Sequence, residues 1–343
     1  MVRKTVVALL VVAGALGCAA LAYLVYPGEP GSSRYVRFEG FIVLPRGGVL
    51  NVLDYLTLSG DALFVTGESS GSVFKILLNP HDRAQAMVAG ELPGKPRAHG
   101  VALVPSRNLG FVSRSEANSV ELFDLESLHS LGSVPVADDA DAILYEPAAN
   151  LIYVANGDAH VATLLDPDGA RVGTIALGGK PEFAVYDARD GLIYQNLADV
   201  NSIAAIDLRT RSVSGRWPLD ACVSPSGLAL DPRHRRLFAV CKGNAKLVVF
   251  DMVSHRTVAS LEIGGGPDSV AYDESLQRIY SAGRSGKLTI VQQDSEDSYR
   301  VLEQVSTHYG AHTLAVDPVS HRVYVGYASL FVAPRIAVFS PNR

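Results

Sequence analysis

Gly227-Leu-Ala-Leu-Asp-Pro-Arg-His-Arg-Arg-Leu-Phe238, Ser269-Val-Ala-Tyr-Asp-Glu-Ser-Leu-Gln-Arg-Ile-Tyr280 and Thr313-Leu-Ala-Val-Asp-Pro-Val-Ser-His-Arg-Val-Tyr324 are three copies of one unit. Each runs as an alternating apolar strand, an Asp-led turn, a basic or polar residue, and a hydrophobic–aromatic pair that opens a second strand. Working toward the N-terminus, further copies span Phe183 to Tyr194, Ala142 to Tyr153, Gly100 to Phe111 and, more loosely, Tyr55 to Phe64. The aromatic anchors Phe64, Phe111, Tyr153, Tyr194, Phe238, Tyr280 and Tyr324 are spaced 47, 42, 41, 44, 42 and 44 residues apart.

A period in the low forties holds about four short strands and their turns, the content of one propeller blade. Strands such as Leu247-Val-Val-Phe-Asp251 alternate with period 2, and no helical period of comparable length follows residue 34. The expectation is an all-β, seven-bladed propeller of four-stranded antiparallel blades over residues 35–343. After Tyr324 the last unit has one more strand, Arg335-Ile-Ala-Val-Phe339, and so lacks its outermost one. Tyr35 to Pro45 is expected to supply it, closing the ring by pairing of N- and C-terminal strands and removing an exposed edge.

The units resemble the YVTN β-propeller repeat. Tyr153-Val-Ala-Asn156 is nearly that tetrad, and Tyr324-Val-Gly-Tyr327 is a more distant copy. Residues 178–185 (GGKPEFAV) and 225–231 (PSGLALD) look like the exported bacterial members, and the likeness covers roughly residues 35–340. It implies a fold and an exported location rather than an activity, since one fold hosts many functions.

Ahead of the repeats, Arg3 and Lys4 precede a run from Thr5 to Tyr26 with no charge, 22 residues long. As a hydrophobic helix that run spans a bilayer, and its basic end stays cytoplasmic. Residues 1–26 therefore read as a signal peptide or signal anchor. Cleavage fits Ala20-Leu21-Ala22; lipidation at Cys18 is disfavoured because the apolar run continues through Leu24-Val25-Tyr26. Residues 27–34, with Pro27 to Ser33 reading PGEPGSS, are expected as a flexible linker. The propeller would be periplasmic or membrane-anchored on the extracytoplasmic side, meeting the inner membrane through residues 5–26 if uncleaved.

The chain of 343 residues is 48% hydrophobic and 19% charged, with formal charge −5. Without the first 30 residues, 28 basic residues face 34 acidic ones. That balance argues against nucleic acid as a partner. There is no Cys-x-x-Cys-His, no Gly-x-Ser-x-Gly elbow and no phosphate-binding glycine loop, and Trp217 is the only tryptophan. These absences disfavour covalent haem, and the lone tryptophan disfavours a quinone-dependent dehydrogenase. Cys222 precedes unit five and Cys241 ends its second strand. Antiparallel pairing of 227–231 with 237–241 brings residue 241 beside residue 227, so a Cys222–Cys241 disulfide is expected.

Aspartates repeated in step with the blade read as scaffold. Asp187, Asp231, Asp273 and Asp317 share one turn position, and Asp124, Asp166, Asp207 and Asp251 another. Each is placed to accept backbone N–H groups of its own turn. Asp166-Pro-Asp168-Gly169 is such a turn, lacking the further ligands of a calcium loop. His81, His129, His160, His234, His255, His308 and His321 are expected at solvated turns or rims.

A different position does not repeat. Just before each innermost strand the units carry Asp54, His99, Asp141, Glu182, Ser226, Asp268 and His312. Pseudo-symmetry places all seven around the mouth of the central channel. One reading is a wet, generically polar mouth. The other is a ligand site, with His99, His312 and Asp54 from neighbouring units forming a set for a divalent metal. Loops expected on the same face carry Arg114, Asn156, Asn196, Lys242 and Arg284, with Tyr309 and Tyr327 as exposed aromatics. They suit a small molecule, a glycan or a peptide of an envelope protein. Two functions stand: a binding or interaction module, or a metal-assisted lactonase-like hydrolase or lyase using the same mouth.

Overall fold

A computed structural model describes residues 28–45, 48–79, 86–94 and 97–342. Residues 1–26, expected as a signal peptide or signal anchor, and His81 lie outside the described residues. Among the described residues no helix is long and apolar enough to cross a membrane; the single helical element is a 3-10 turn, Pro105–Arg107.

The described residues form seven four-stranded antiparallel sheets and one two-stranded ribbon, a seven-bladed β-propeller. The innermost strands are Leu53–Ser59, Ala98–Val104, Ala140–Glu146, Pro181–Asp187, Pro225–Asp231, Pro267–Asp273 and Thr313–Val316. Blades one to six each take four consecutive strands. In blade seven the outermost strand is Val36–Val43, antiparallel to Arg335–Pro341, with Val36 opposite Pro341 and Val43 opposite Arg335. Leu50–Asn51 pairs with Ser329–Leu330 in the two-stranded ribbon. Part of the segment expected as a linker is tied down: Gly31 N–H donates to Ser306 O at 2.8 Å and Ser33 Oγ to Glu303 at 2.8 Å.

The packing explains the period. All seven aromatic anchors are buried, each wedged between its own blade and a neighbour. Phe111 and Val104 pack with Ile152 and Val154 of the next blade, and Phe238 and Val240 with Val270 and Ile279 of the one after blade five. Burying a side chain of this size contributes roughly 1.5–3 kcal/mol, and one such wedge per interface is what makes the unit recur. Close approach of innermost strands also demands small residues. A Cβ on Gly227 would lie 2.7 Å from Asp268 O and 2.9 Å from Ser269 Cα of the next blade.

The turn aspartates hold backbone, as their repetition suggests. Asp187 accepts from Arg189 N, Asp231 from Arg233 N and His234 N, Asp273 from Leu276 N and Asp317 from Val319 N. At the second position Asp124 accepts from Glu126 N and Ser127 N, and Asp166, Asp207 and Asp251 do the same in their turns. Cys222 and Cys241 are bonded as a disulfide joining the loop before blade five to its second strand.

Candidate functional site: a polar cup at the channel mouth

The innermost strands of blades one to six share a defect at their first residues. Leu53 pairs with Gly67 but Leu56 pairs with Val65; the same slip occurs between Ala98 and Val101, Ala140 and Ile143, Pro181 and Ala184, and Pro225 and Leu228. In blade six the slip lies between Pro267 and Ser269. Each is a β-bulge, and Asp54, His99, Asp141, Glu182, Ser226 and Asp268 sit inside it. A bulge inserts an extra residue and re-aims side chains. Here it turns one polar residue per blade into the channel mouth, where all six, with His312, line a single cavity of about 240 Å³.

The cavity has an aromatic floor. Tyr55 of blade one and Phe183 of blade four stack across the channel, ring centroids 5.2 Å apart and planes 10° from parallel. Beneath them a second cavity of about 520 Å³ is lined largely by apolar groups such as Leu58, Leu103, Ile143 and Val316. The stack thus separates a charged cup from an apolar lower channel. Sequence reading missed both residues, although a signal was present: the residue after the mouth position is aromatic only at Tyr55 and Phe183 and small in the other five units.

Charge within the cup is partitioned. On one side His99 Nδ1 lies 2.6 Å from Asp54 Oδ2 and 3.7 Å from Asp141 Oδ1, while His99 Nε2 lies 2.9 Å from Ser115 Oγ. Tyr55 OH donates to Asp141 Oδ1 at 3.4 Å. On the other side Asp268 meets Arg284 at 2.7 Å, Lys242 at 3.2 Å and His312 Nε2 at 3.9 Å. Between them the Glu182 carboxyl lines the cavity with no hydrogen bond or ion pair from any described residue.

These surroundings set the protonation states. Burial opposes charging His99, but the hydrogen bond and charge of Asp54 win and raise it to about 9. Burial raises Asp141, with His99 opposing and Asp54 and Glu182 adding to the rise. Burial likewise lifts Glu182 to about 7, Lys242 opposing and Asp268 assisting. Asp268 moves the other way: burial is outweighed by Lys242, His312 and Arg284.

Several expected site residues stand elsewhere. The trio whose donor atoms come within 4.8 Å of one another is Asp54, His99 and Asp141. His312, expected beside Asp54 and His99, instead donates from Nδ1 to Gly310 O at 2.6 Å, which turns its Nε2 toward Asp268 of blade six. Arg114 is buried outside the cup, paired with Glu121 and donating to Gly71 O at 2.6 Å. Asn156 donates to Ala137 O at 2.7 Å and accepts from Thr163 Oγ1 at 2.8 Å. Asn196 donates to Ser226 O and Gly227 O at 2.8 and 3.0 Å. The reason is common to all three: a bulge or loop strips carbonyls of ladder partners, and buried carbonyls require donors. These side chains brace the mouth from behind. Lys242 and Arg284 do line the cup. Tyr309 is exposed, but Tyr327 is fully buried against Phe41 and His308. His308 is buried too, and His234, His321 and His255 are engaged by Asp231, Asp273 and the Trp217 ring. Rim residues not anticipated are Arg97, Glu68, Asp139 and Lys180.

No protein-family model matches this chain, and no curated protein is significantly similar to it.

Proposed function

We propose that this protein is an exported β-propeller binding module of the cell envelope, whose mouth cup takes a small polar ligand, a glycan or a peptide end carrying a cationic group. The observation that carries the reading is Glu182. It is a half-buried carboxyl lining the cup, without a hydrogen-bond donor among the described residues, beside a stacked aromatic pair. A cation there would offset the burial that, with smaller help from neighbouring carboxylates, raises the Glu182 and Asp141 carboxyls, and would rest against the Tyr55–Phe183 stack. The likeness to exported YVTN-repeat proteins and the leader at 1–26 support the location. The test is a thermal-shift screen of the full chain against amines, amino sugars and short peptides. A hit should be lost in Glu182→Gln and weakened in Phe183→Ala; hits indifferent to both variants would sink the reading.

A second reading, metal-assisted hydrolysis of the lactonase-like kind, has one observation in its favour: the Asp54–His99–Asp141 trio. Elemental analysis of protein purified without chelator separates the two. Stoichiometric zinc, manganese or iron, lost in His99→Ala, supports the second and removes the first as a complete description.

A further inference from the structure

The edge of the cup holds three side chains in an order that binding alone does not require. Ser115 opens the turn after the second strand of blade two, Leu109–Arg114. Its Oγ lies 2.9 Å from His99 Nε2, and His99 Nδ1 lies 2.6 Å from Asp54 Oδ2. A hydroxyl faces one ring nitrogen and a carboxylate holds the other. This is the arrangement in which an imidazole is oriented by an acid and takes a proton from an alcohol. Both ring nitrogens are committed, so a metal could reach His99 only by displacing Asp54 or Ser115.

We propose that Ser115 is a nucleophile, His99 its general base and Asp54 the positioning residue of an acyl-transfer site cleaving small polar carboxylic esters. Neither residue spacing nor any local motif announces it. Asp54 belongs to blade one, His99 to the first strand of blade two and Ser115 to the turn after the second, and the bulges bring them together.

Access and substrate class follow from the two hollows that meet here. Ser115 is largely buried but lines a second, more open cavity of about 530 Å³ with Arg97, Glu116, Asn118, Asp138, Asp139 and Asp158. Arg97 and Asp139 line both cavities, so the triad lies at their shared wall. The outer hollow carries four carboxylates, which favours an ester whose alcohol or acyl part is hydroxylated or cationic. The turn is closed by Asn118 N–H donating to Ser115 O at 3.2 Å, while the Glu116 N–H has no partner among the described residues. That N–H, on the residue after the nucleophile, is a donor available to a developing oxyanion.

The chemistry balances without a further reagent than water. The neutral form of His99 is the minor one at pH 7, because Asp54 raises this imidazole to about 9. In molecules that hold it, Ser115 Oγ bonds to the ester carbonyl carbon as His99 Nε2 takes its proton, so labelling and hydrolysis should rise with pH toward 9. Collapse of the tetrahedral intermediate breaks the carbon–oxygen bond to the alcohol, which leaves with that proton. Water, deprotonated by the same nitrogen, then cleaves the acyl-serine to release the acid and restore the hydroxyl.

The full chain, incubated with a fluorophosphonate probe and mapped by mass spectrometry, should be phosphonylated at Ser115, and should hydrolyse p-nitrophenyl acetate with an initial burst. Ser115→Ala should abolish both, and His99→Ala should slow labelling roughly 100-fold or more. Asp54→Asn should lower kcat with KM little changed, as expected of a group that acts through His99. Melting curves show whether each variant is folded, and Ser115→Ala, the smallest change, keeps the test decisive if the others are not. An unmodified Ser115 in folded protein overturns the proposal. So does ester hydrolysis that persists at the wild-type rate in Ser115→Ala, or that a chelator abolishes while Ser115 stays unlabelled. Ligand binding in the cup would survive Ser115→Ala, so this proposal and the binding reading fail separately.

Discussion

The turn aspartates and the mouth carboxylates are one chemistry in two settings. Asp231 is fully buried, yet it accepts from Gln293 Nε2 at 2.9 Å, Arg233 N at 3.0 Å, His234 N at 3.1 Å and His234 Nδ1 at 2.7 Å. Burial pushes its pKa up, but the Gln293 and His234 donors pull it below the ordinary value. At Asp124 the Ser127 backbone and side chain do so in the open. Glu182 and Asp141 are also withdrawn from water, but without that ring of donors, and their pKa values rise. Asp231 is fully and Glu182 partly shielded from water; the decisive difference is the supply of N–H groups. A carboxylate saturated by its own fold has nothing to offer a ligand, and one left short is poised to receive a cation or a proton.

That contrast can be broken from the scaffold side first. Removing the Cys222–Cys241 bond, which bridges a sequence separation of 19, should cost about 3 kcal/mol. Alkylation of the native protein should label neither cysteine until a reductant is added. Next comes the turn. Asp231→Ala leaves the buried Gln293 Nε2 without its Asp231 acceptor and removes the acceptor of three donors in a part-exposed turn, and should cost roughly 2 kcal/mol, read as a lowered denaturant midpoint. Ligand responses of the cup should be unaffected, and an unchanged midpoint would void the scaffold reading.

The mouth side is tested by pH. Glu182 binds its proton more tightly folded, at about 7, than unfolded, where an ordinary glutamate titrates. The folded state therefore holds more protons across that interval, and stability falls as pH rises through it. His99, raised to about 9, has the same sign: its contribution is whole below about 6.5 and is lost as pH climbs through 9. Ligand-free protein should thus melt lower at pH 9 than at pH 5, by roughly 1.5 °C for each kcal/mol lost at this size. A flat or rising profile would contradict the mouth assignment. Smallest of all, Glu182→Gln should leave stability near pH 5 almost unchanged and flatten the descent toward pH 8, seen in the same melting series.

Much of the architecture was legible because a blade is built from local rules. Anchors such as Phe238 and Tyr280 recur at one spacing because each interface needs one wedge. Asp187 and Asp317 recur because each turn needs its N–H groups satisfied. The mouth positions were legible as exceptions to that recurrence. Their company was not. Arg114, Asn156 and Asn196 looked like rim residues, but the carbonyls stripped by the bulges and loops drew them inward as donors. His312 was grouped with the wrong partners because its ring orientation depends on one bond to Gly310 O.

From the amino-acid order alone came the number of blades, the first hairpin of each unit, the aspartate-braced turns and the cysteine pair, since all depend on neighbours within one period. Only the folded ring decided that Tyr55 meets Phe183, that His99 stands between Asp54 and Ser115, and that Glu182 is left without a donor. Those meetings join residues from different strands and blades, and their distances are set by how far each bulge rotates a side chain toward a common axis, a quantity that no local pattern encodes.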